Sequence, residues 1–312
     1  MRVLVTGANG FVGRHLVVQL LQNNHQLVRC FRQINTDSPK PACRDVAITI
    51  NSQSDWSEAL VEVSHVVHCA AHVHVFQGDA DSSIDGFREV NNLGTINLAR
   101  QAAKAGVERF IFISTIGVNG NVSNDKSFSE TDEPNPHNTY AQSKWEAEKA
   151  LMQLAAETEM DVVVIRPPMI YGPGAPGNFS TLQRILNKQW PLPFAGVRNK
   201  RAFVAVENLV SFIDVALQHP AAKNQLYLIS DGNDVSLTMF LSTLIQALQL
   251  KTALFYFPAT ILRHLLKLVG KGNMADQLYG NLALDITKAK MQLQWEPVIT
   301  MFEQMKKCRE NS

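Results

Sequence analysis

The sequence predicts an α/β fold, in which helices cover both faces of a doubly wound parallel sheet and a smaller C-terminal α/β lobe is attached. Short apolar, β-branched runs are typical of parallel strands buried on both faces, and they occur as RVLVTG, RFIFIS and VVVIRP. Stretches with helical periodicity lie between these runs, the first being FVGRHLVVQLLQNN. Strands that alternate with helices in this way predict a parallel sheet.

The composition limits the classes of protein that fit. With 312 residues, 46% of them hydrophobic and 18% charged, the chain fits one large globular α/β unit or two coupled lobes. A net charge of +1 excludes nucleic acid as the main partner, because no basic excess is available to neutralise phosphates. We expect neither a signal peptide nor a transmembrane segment. Unpaired cysteine spacing predicts reduced thiols in a cytoplasmic protein, at Cys30, Cys43, Cys69 and Cys308.

Three glycines lie where the first strand meets the first helix, in the spacing GxxGxxG. Gly7 permits a tight turn, Gly10 lets the backbone approach a pyrophosphate, and Gly13 lets the helix pack closely on the strand. The helix N-terminus adds free N–H groups and a partial positive charge. Because the glycines stand between a strand and a helix, the pattern predicts a Rossmann dinucleotide site. Its expected contacts are Gly7, Asn9, Gly10, Phe11, Val12 and Gly13.

The end of the second strand indicates which dinucleotide binds. An NAD site carries an acidic residue there for the ribose 2′-hydroxyl, but HQLVRCFRQ has none. Arg32 stands there instead, and a guanidinium binds a 2′-phosphate that a carboxylate would repel. We therefore predict that NADP(H) is preferred over NAD(H), with Arg32 as the selecting residue and Arg29 as the weaker candidate.

A tyrosine and a lysine form the predicted catalytic pair. Tyr140 and Lys144 lie four residues apart in a helical segment and therefore face the same side. An ammonium near the phenol would lower the pKa of the tyrosine, so that it exchanges a proton with a substrate hydroxyl while hydride moves to or from a nicotinamide. Ser114 and Thr115 end the preceding buried strand and supply hydroxyls that orient the substrate.

Four motifs together resemble the extended branch of the short-chain dehydrogenase/reductase superfamily, the epimerases, dehydratases and reductases of nucleotide sugars. They are GANGFVG, STIGVNG, YAQSK and RPPMIYGPG, and the resemblance covers nearly the whole chain. Within this branch the chain is most similar to bacterial UDP-sugar 4-epimerases and 4-reductases of the UDP-N-acetylquinovosamine dehydrogenase type. The resemblance assigns the catalytic hydroxyl to Thr115, with Ser114 assisting, and gives Lys144 a second contact, with the nicotinamide ribose.

The resemblance also implies further contacts and the domain boundaries. It places the NADP-binding domain at 1–166, rejoined by 202–229, and the substrate-binding lobe at 167–201 and 230–312. It implies a homodimer formed through the two long helices of the first domain. No metal site is predicted, because His68, His72 and His74 alternate along one strand and its loop. The additional cofactor contacts implied are Ala70, Ala71, Asn91 and Pro167, and the substrate contacts are Asn178 and Arg201.

The resemblance leaves the reaction open. The leading prediction is NADPH-dependent reduction of a 4-keto nucleotide sugar, of the UDP-linked 6-deoxy-4-keto-N-acetylhexosamine type, for surface polysaccharide synthesis. The alternatives are a 4-epimerase of a UDP-sugar or polyprenyl-diphosphate sugar, a hydroxysteroid- or flavonol-type reductase, and a non-catalytic NADP(H) sensor. A dehydratase is disfavoured, because Ile116 and Gly117 stand where family dehydratases carry Asp–Glu. The segment ATILRHLLKLVG fits a packed helix or a peripheral membrane contact suited to a lipid-linked sugar.

Overall fold

A parallel sheet with a reversal in its strand order forms the centre of the molecule. The computed structural model describes residues 1–33, 42–73, 84–268, 270 and 272–310. Within them the strands are β1 (Arg2–Thr6), β2 (Gln26–Phe31), β3 (Cys43–Ala47), β4 (His65–His68), β5 (Arg109–Ile113), β6 (Asp161–Arg166), β7 (Met169–Tyr171), β8 (Phe203–Ala205) and β9 (Gln225–Leu228). The main sheet has seven strands in the order β3-β2-β1-β4-β5-β6-β9, and all its pairings are parallel. The order reverses between β1 and β4, and ligands of such sheets bind beyond the carboxyl ends of the strands at this point.

Helices connect these strands on both sides of the sheet. They are α1 (Phe11–Gln22), α2 (Ile84–Arg88), α3 (Thr95–Lys104), α4 (Thr139–Glu157), α5 (Asn178–Asn187), α6 (Val206–Gln218), α7 (Leu237–Ala247), α8 (Ala259–Leu268), α9 (Gly272–Tyr279), α10 (Thr287–Leu293) and α11 (Met301–Glu310). A π-helical turn, Glu89–Gly94, joins α2 to α3, and 3₁₀ turns cover Ile116–Val118 and Pro220–Ala222.

Successive strand residues alternate between two apolar cores, as the buried runs predict. Val3 and Val5 of β1 pack on one face with residues of α1 and α6. Leu4, between them, packs on the other face with residues of α3 and α4. The prediction of a doubly wound parallel sheet is confirmed.

A third apolar cluster supports the smaller C-terminal lobe. It contains buried residues of β7, β8, α5, α7 and α11, with Phe203 and Phe240 stacked at 4.1 Å between ring centroids. The strands β7 and β8 pair with each other and not with the main sheet, whereas β9 returns to the main sheet beside β6. The predicted boundaries at 166, 202 and 229 remain predictions.

Residues 280–285 connect two parts of the molecule. On one side, the Ala202 N–H donates to the Leu282 carbonyl at 2.8 Å, next to Arg201. On the other side, the Phe128 N–H donates to the Ala283 carbonyl at 2.8 Å. Phe128 belongs to the loop between β5 and α4, so this segment joins that loop to the lobe.

In the described ranges, no helix combines the length and the apolar character that crossing a bilayer requires.

Candidate active site

In the turn between β1 and α1, the glycine positions carry no side chain that would cover the backbone. Gly7 has a φ of +64°, a left-handed conformation that favours glycine, and its carbonyl accepts from the Gly10 N–H at 2.8 Å. A Cβ on Gly13 would lie 2.1 Å from the Gly7 oxygen, so a side chain there is excluded. Gly10 caps α1 without a side-chain hydrogen bond, which leaves the first N–H groups of the helix available to an anion.

The other predicted residues of this turn surround that helix end. Asn9 and Gly10 are exposed, whereas Phe11 and Val12 are half-buried. Ala70, at the end of β4, lies so close to Gly7 that a Cβ on the glycine would be 2.9 Å from the Ala70 nitrogen. The turn and the β4 end therefore form one continuous surface at the switch point, with Ala71 next in the chain. Their contacts with a cofactor remain predictions.

Asn91 is fully buried and all its described contacts are with the protein. Its Oδ1 accepts from the His72 N–H at 2.7 Å, and its Nδ2 donates to the His72 carbonyl at 3.0 Å and to Ser143 Oγ at 3.1 Å. The side chain thereby holds the β4 loop against α4. This geometry supports an architectural role beside the cofactor and not a direct contact through its amide.

His68, on β4, and His72, in the loop that follows, contact different residues. His68 is 1% exposed, lies between Thr6 Oγ1 at 2.8 Å and Thr95 Oγ1 at 3.0 Å, and has its pKa lowered to about 3 by burial. His74 lies outside the described residues. Within those residues there is no cluster of three or more metal-ligating side chains.

The predicted catalytic residues lie at the carboxyl end of β5 and at the start of α4. Thr115 is partly exposed, and its Oγ1 accepts from the Gly117 N–H at 3.1 Å, which holds the hydroxyl in the 3₁₀ turn. Asn138 caps α4 by accepting from the Ala141 N–H at 2.8 Å, so Tyr140 lies in the first turn of the helix. Lys144, one turn further, is 1% exposed, with its Nζ 4.1 Å from the centroid of the Phe112 ring.

Burial dominates the protonation of both members of this pair. Desolvation raises the pKa of Tyr140 to about 12. Desolvation also lowers the pKa of Lys144 to about 7, although the nearby Glu148 carboxylate acts in the opposite direction. The direction for Tyr140 is opposite to the lowering expected from the sequence, because burial disfavours the charged phenolate. Near pH 7 the phenol is therefore neutral and the lysine is about half protonated.

Ser114 contacts a buried ion pair that the sequence analysis missed. Its hydroxyl donates to Glu148, and the Nε of Arg166 donates to the same carboxylate at 3.0 Å and 3.2 Å. Ser114 is 3% exposed, so Thr115 is the more accessible of the two hydroxyls. Glu148 lies on α4 and Arg166 lies on β6, 18 residues later in the chain. No short-range sequence pattern therefore predicts this ion pair.

The two arginines near the end of β2 have different surroundings. Arg29 is 8% exposed and donates to both oxygens of Asp45, each at 2.7 Å, so its guanidinium is engaged within the sheet. Arg32 is exposed, just beyond the strand. Of the two, Arg32 is the one that remains accessible to a ligand.

Three predicted contacts follow β6 in the chain, one with the cofactor (Pro167) and two with the substrate (Asn178 and Arg201). Pro167 is buried after β6, and its carbonyl accepts from the Ile116 N–H at 2.9 Å, which fixes the 3₁₀ turn next to Thr115. Asn178 is exposed as the first residue of α5. Arg201 is half-buried, donates to the Gly280 carbonyl at 3.0 Å, and has its pKa lowered to about 10 by burial. Within the described residues it has no carboxylate partner.

The sequence profile of the NAD dependent epimerase/dehydratase family matches residues 3–230. The chain belongs to this family. The matched range contains the glycine turn, Thr115, Tyr140 and Lys144, and it extends into β9.

Relatives of this family member include two proteins named as 4-epimerases. UDP-glucose 4-epimerase of Vibrio cholerae is 40% identical over 306 residues, which are 97% of this chain and 93% of that protein. The N-acetyl-alpha-D-glucosaminyl-diphospho-ditrans,octacis-undecaprenol 4-epimerase of Escherichia coli O157:H7 is 29% identical over 263 residues, 82% of this chain and 75% of that protein.

The fold of this family member also matches solved structures. UDP-glucuronic acid 4-epimerase from Bacillus cereus, solved in complex with NAD, superposes with a TM-score of 0.78. The sequence identity is 20%, and the match covers all of this chain and 96% of that one. The likeness supports the observed sheet and helix arrangement.

Proposed function

We propose that the protein is a 4-epimerase of a UDP-hexose. The observation that carries this proposal is the 40% identity, over 97% of the chain, to UDP-glucose 4-epimerase of Vibrio cholerae. The alternative reaction in the sequence analysis, and not the 4-keto reduction put first there, is thus the better supported one. Epimerisation is redox-neutral, so it needs a retained dinucleotide and one group that both removes and returns a proton.

The residues present fit a nicotinamide dinucleotide. A side chain at Gly13 would clash with the Gly7 oxygen, and the open N-terminus of α1 lies at the strand-order reversal, where a pyrophosphate would be held. When bound, the nicotinamide would accept hydride from the sugar C4 and return it to the opposite face. Gly7, Gly10, Gly13 and the β4 end are the residues that would hold it.

Tyr140 is the proposed base and acid for the sugar 4-hydroxyl. Its place in the first turn of α4, next to the Thr115 hydroxyl turn, would allow its phenolate to take the proton as hydride leaves, and the phenol so formed to return the proton as hydride comes back. Thr115 would orient the same oxygen by hydrogen bonding. Lys144 in its ammonium form would make proton release from the phenol easier, and this form is favoured below about pH 7.

Arg201 is the proposed contact for the substrate diphosphate. Its guanidinium is half-buried and donates to a backbone carbonyl, which leaves charge to be neutralised by an anion. Burial strengthens such charge-assisted hydrogen bonds. Asn178 at the N-terminus of α5 is the second proposed substrate contact.

The cofactor form that we propose follows from Arg32. Within residues 26–33 the strand end carries no carboxylate, and the exposed guanidinium of Arg32 favours the 2′-phosphate of NADP(H) over the free hydroxyl of NAD(H). Calorimetric titration with both forms tests this, and Arg32→Asp should reverse the preference. Tighter binding of NAD(H) by the unmodified protein would contradict the proposal for Arg32 without affecting the proposed epimerase reaction.

The reaction itself is tested by incubating the protein with UDP-galactose or UDP-glucose and separating the products chromatographically. An epimerase produces an equilibrium mixture of the two sugars without net consumption of added NADPH, and Tyr140→Phe should slow this interconversion by about 10²- to 10⁴-fold. Failure to interconvert these sugars and their N-acetylated counterparts would contradict the proposal.

Reduction of a 4-keto nucleotide sugar is the second candidate function, and Arg32 is the observation that favours it. A net reductase uses exchangeable NADPH, which a 2′-phosphate site would select. Stoichiometric loss of NADPH absorbance on addition of a 4-keto UDP-sugar, without sugar interconversion, would replace the epimerase proposal with this one.

We also propose a homodimer. Leu93, in the π-helical turn before α3, and Met152, on α4, are 48% and 36% exposed, respectively, and a second copy would cover these apolar side chains. Light scattering coupled to size-exclusion chromatography measures the mass directly, and a monomeric mass at micromolar concentration would contradict this proposal.

A further inference from the structure

A buried ion pair lies behind the catalytic turn. Glu148 and Arg166 are 4% and 3% exposed, and the Arg166 guanidinium donates to the Glu148 carboxylate through both Nε and Nη2. Taking two charges out of water costs several kcal/mol for each ion, so such a pair contributes little net stability. Its position therefore calls for an explanation beyond holding the fold together.

The pair touches the elements on either side of Thr115. The Glu148 carboxylate accepts a hydrogen bond from the hydroxyl of Ser114, the residue directly before Thr115. Arg166 Nη1 donates to Asn119 Oδ1 at 2.8 Å, just after the 3₁₀ turn that follows Thr115. The backbone of the turn is thus held at both ends by one ion pair.

Glu148 also lies one helical turn beyond Lys144. Residues four apart on a helix are neighbours, with roughly 6 Å between their Cβ atoms. The Glu148 carboxylate favours the charged form of Lys144 and opposes the burial that lowers the pKa of this lysine to about 7.

The other titratable groups near Lys144 are neutral at physiological pH. Burial raises the pKa of the Cys69 thiol and of the Tyr140 phenol to about 12 each, and lowers the pKa of His68 to about 3. Arg166, on β6, is paired with Glu148. Among the described residues that influence Lys144 electrostatically, Glu148 is the carboxyl group that raises the pKa of this lysine.

We propose that Glu148 is a positioning residue that holds Lys144 in the ammonium form and, through Ser114, fixes the Thr115 turn. The proposal rests on the Tyr140–Lys144 chemistry of the proposed function. Its first test is independent of activity.

That test is a titration of Lys144 by ¹³Cε NMR of labelled lysines, with the resonance identified by its loss in Lys144→Met. Glu148→Gln keeps the shape of the side chain and an oxygen that accepts from Ser114, but removes the charge. The pKa of Lys144 should fall by about one to two pH units, the size expected for a charge at this separation in a partly screened interior. The matched control is Glu146→Gln on the same helix, at a residue that faces α2 and pairs with Arg88 at 2.7 Å; it should leave the pKa of Lys144 unchanged.

Glu148→Gln leaves Arg166 buried without a counter-charge, which lowers stability. The double variant Glu148→Gln with Arg166→Met removes the pair together and is the second variant to titrate. In it, too, Lys144 should titrate at a lower pH than in the unmodified protein. An unchanged Lys144 pKa in either variant overturns the proposal.

A pH–rate profile of sugar interconversion gives the second readout. In Glu148→Gln the alkaline limb should move to lower pH by the same amount as the Lys144 pKa, and Glu146→Gln should not move it. A merely structural role would lower the rate at all pH values alike, and this result would overturn the proposal. A shifted Lys144 pKa in a protein that interconverts no UDP-sugar supports the role of Glu148 while contradicting the proposed function.

Discussion

Replacing Lys144 with methionine should stabilise the folded protein below pH 7, even though the lysine is the proposed partner of the catalytic tyrosine. Methionine retains the apolar stem against Phe112 but carries no charge. A buried lysine whose pKa falls from 10.5 to about 7 costs the folded state about 5 kcal/mol while it is charged, at about 1.4 kcal/mol per pH unit. The variant should therefore gain on the order of this amount, which is large against a typical total stability of 5–15 kcal/mol.

The pH dependence of this gain identifies its cause. Below about pH 7 the lysine is charged in both the folded and the unfolded states, so the free energy of unfolding is lowered by the full cost of burying the ammonium group. Between about pH 7 and 10.5 only the unfolded state keeps the proton, so the unmodified protein regains stability as the pH rises. The advantage of Lys144→Met should be greatest below pH 7 and shrink towards zero near pH 10.

Urea unfolding of both proteins at about pH 6 and about pH 9.5 measures the difference. Lys149→Met is the matched control, because Lys149 is an exposed lysine on the same helix and its removal should change the stability by less than about 1 kcal/mol at either pH. A difference between Lys144→Met and the unmodified protein that does not vary with pH would refute the reasoning, as would a variant less stable at pH 6.

Three further substitutions test the site. Tyr140→Phe should reduce turnover by about 10²- to 10⁴-fold while dinucleotide affinity measured by calorimetry is retained, and near-normal single-turnover rates would remove Tyr140 as the proton-transfer group. Arg201→Ala should raise the KM for a UDP-sugar with little change in kcat, because a diphosphate contact is made equally in ground and transition states; an unchanged KM would return Arg201 to a structural role. Gly13→Ala should weaken dinucleotide binding and lower the melting temperature, since its Cβ would lie 2.1 Å from the Gly7 oxygen, and normal values of both would contradict the close packing of α1 on the turn.

The predictions that rested on local spacing were the ones the structure could confirm. Apolar strand segments that alternate along the chain with periodic helical segments predicted the doubly wound sheet. The prediction was possible because a strand that is buried on both faces is apolar along its whole length. The need for glycine at positions 7 and 13 is likewise visible as a positive φ and a close contact. The four-residue spacing correctly placed Tyr140 and Lys144 on one helix.

What the sequence could not supply was the environment of these residues. Spacing indicates that Lys144 lies near Tyr140, but it does not measure how much water the fold removes from them, and burial decided the direction of both pKa shifts. The Glu148–Arg166 pair likewise joins α4 to β6 and becomes visible only when the strands are assembled. Arg29 differs from Arg32 because Asp45 is its direct neighbour on β3, a register that no pattern in the sequence reveals.

Residues 280–285 connect Arg201 mechanically to the loop before Tyr140. The Arg201 guanidinium binds the Gly280 carbonyl, and the same short segment binds Phe128 in the loop that leads from Thr115 to Tyr140. A ligand that draws Arg201 inward must carry this segment with it or break its hydrogen bonds, and either event reaches the loop before Tyr140. With Arg201 as the proposed diphosphate contact, binding of the nucleotide end of a substrate would therefore be transmitted to the loop that leads to Tyr140.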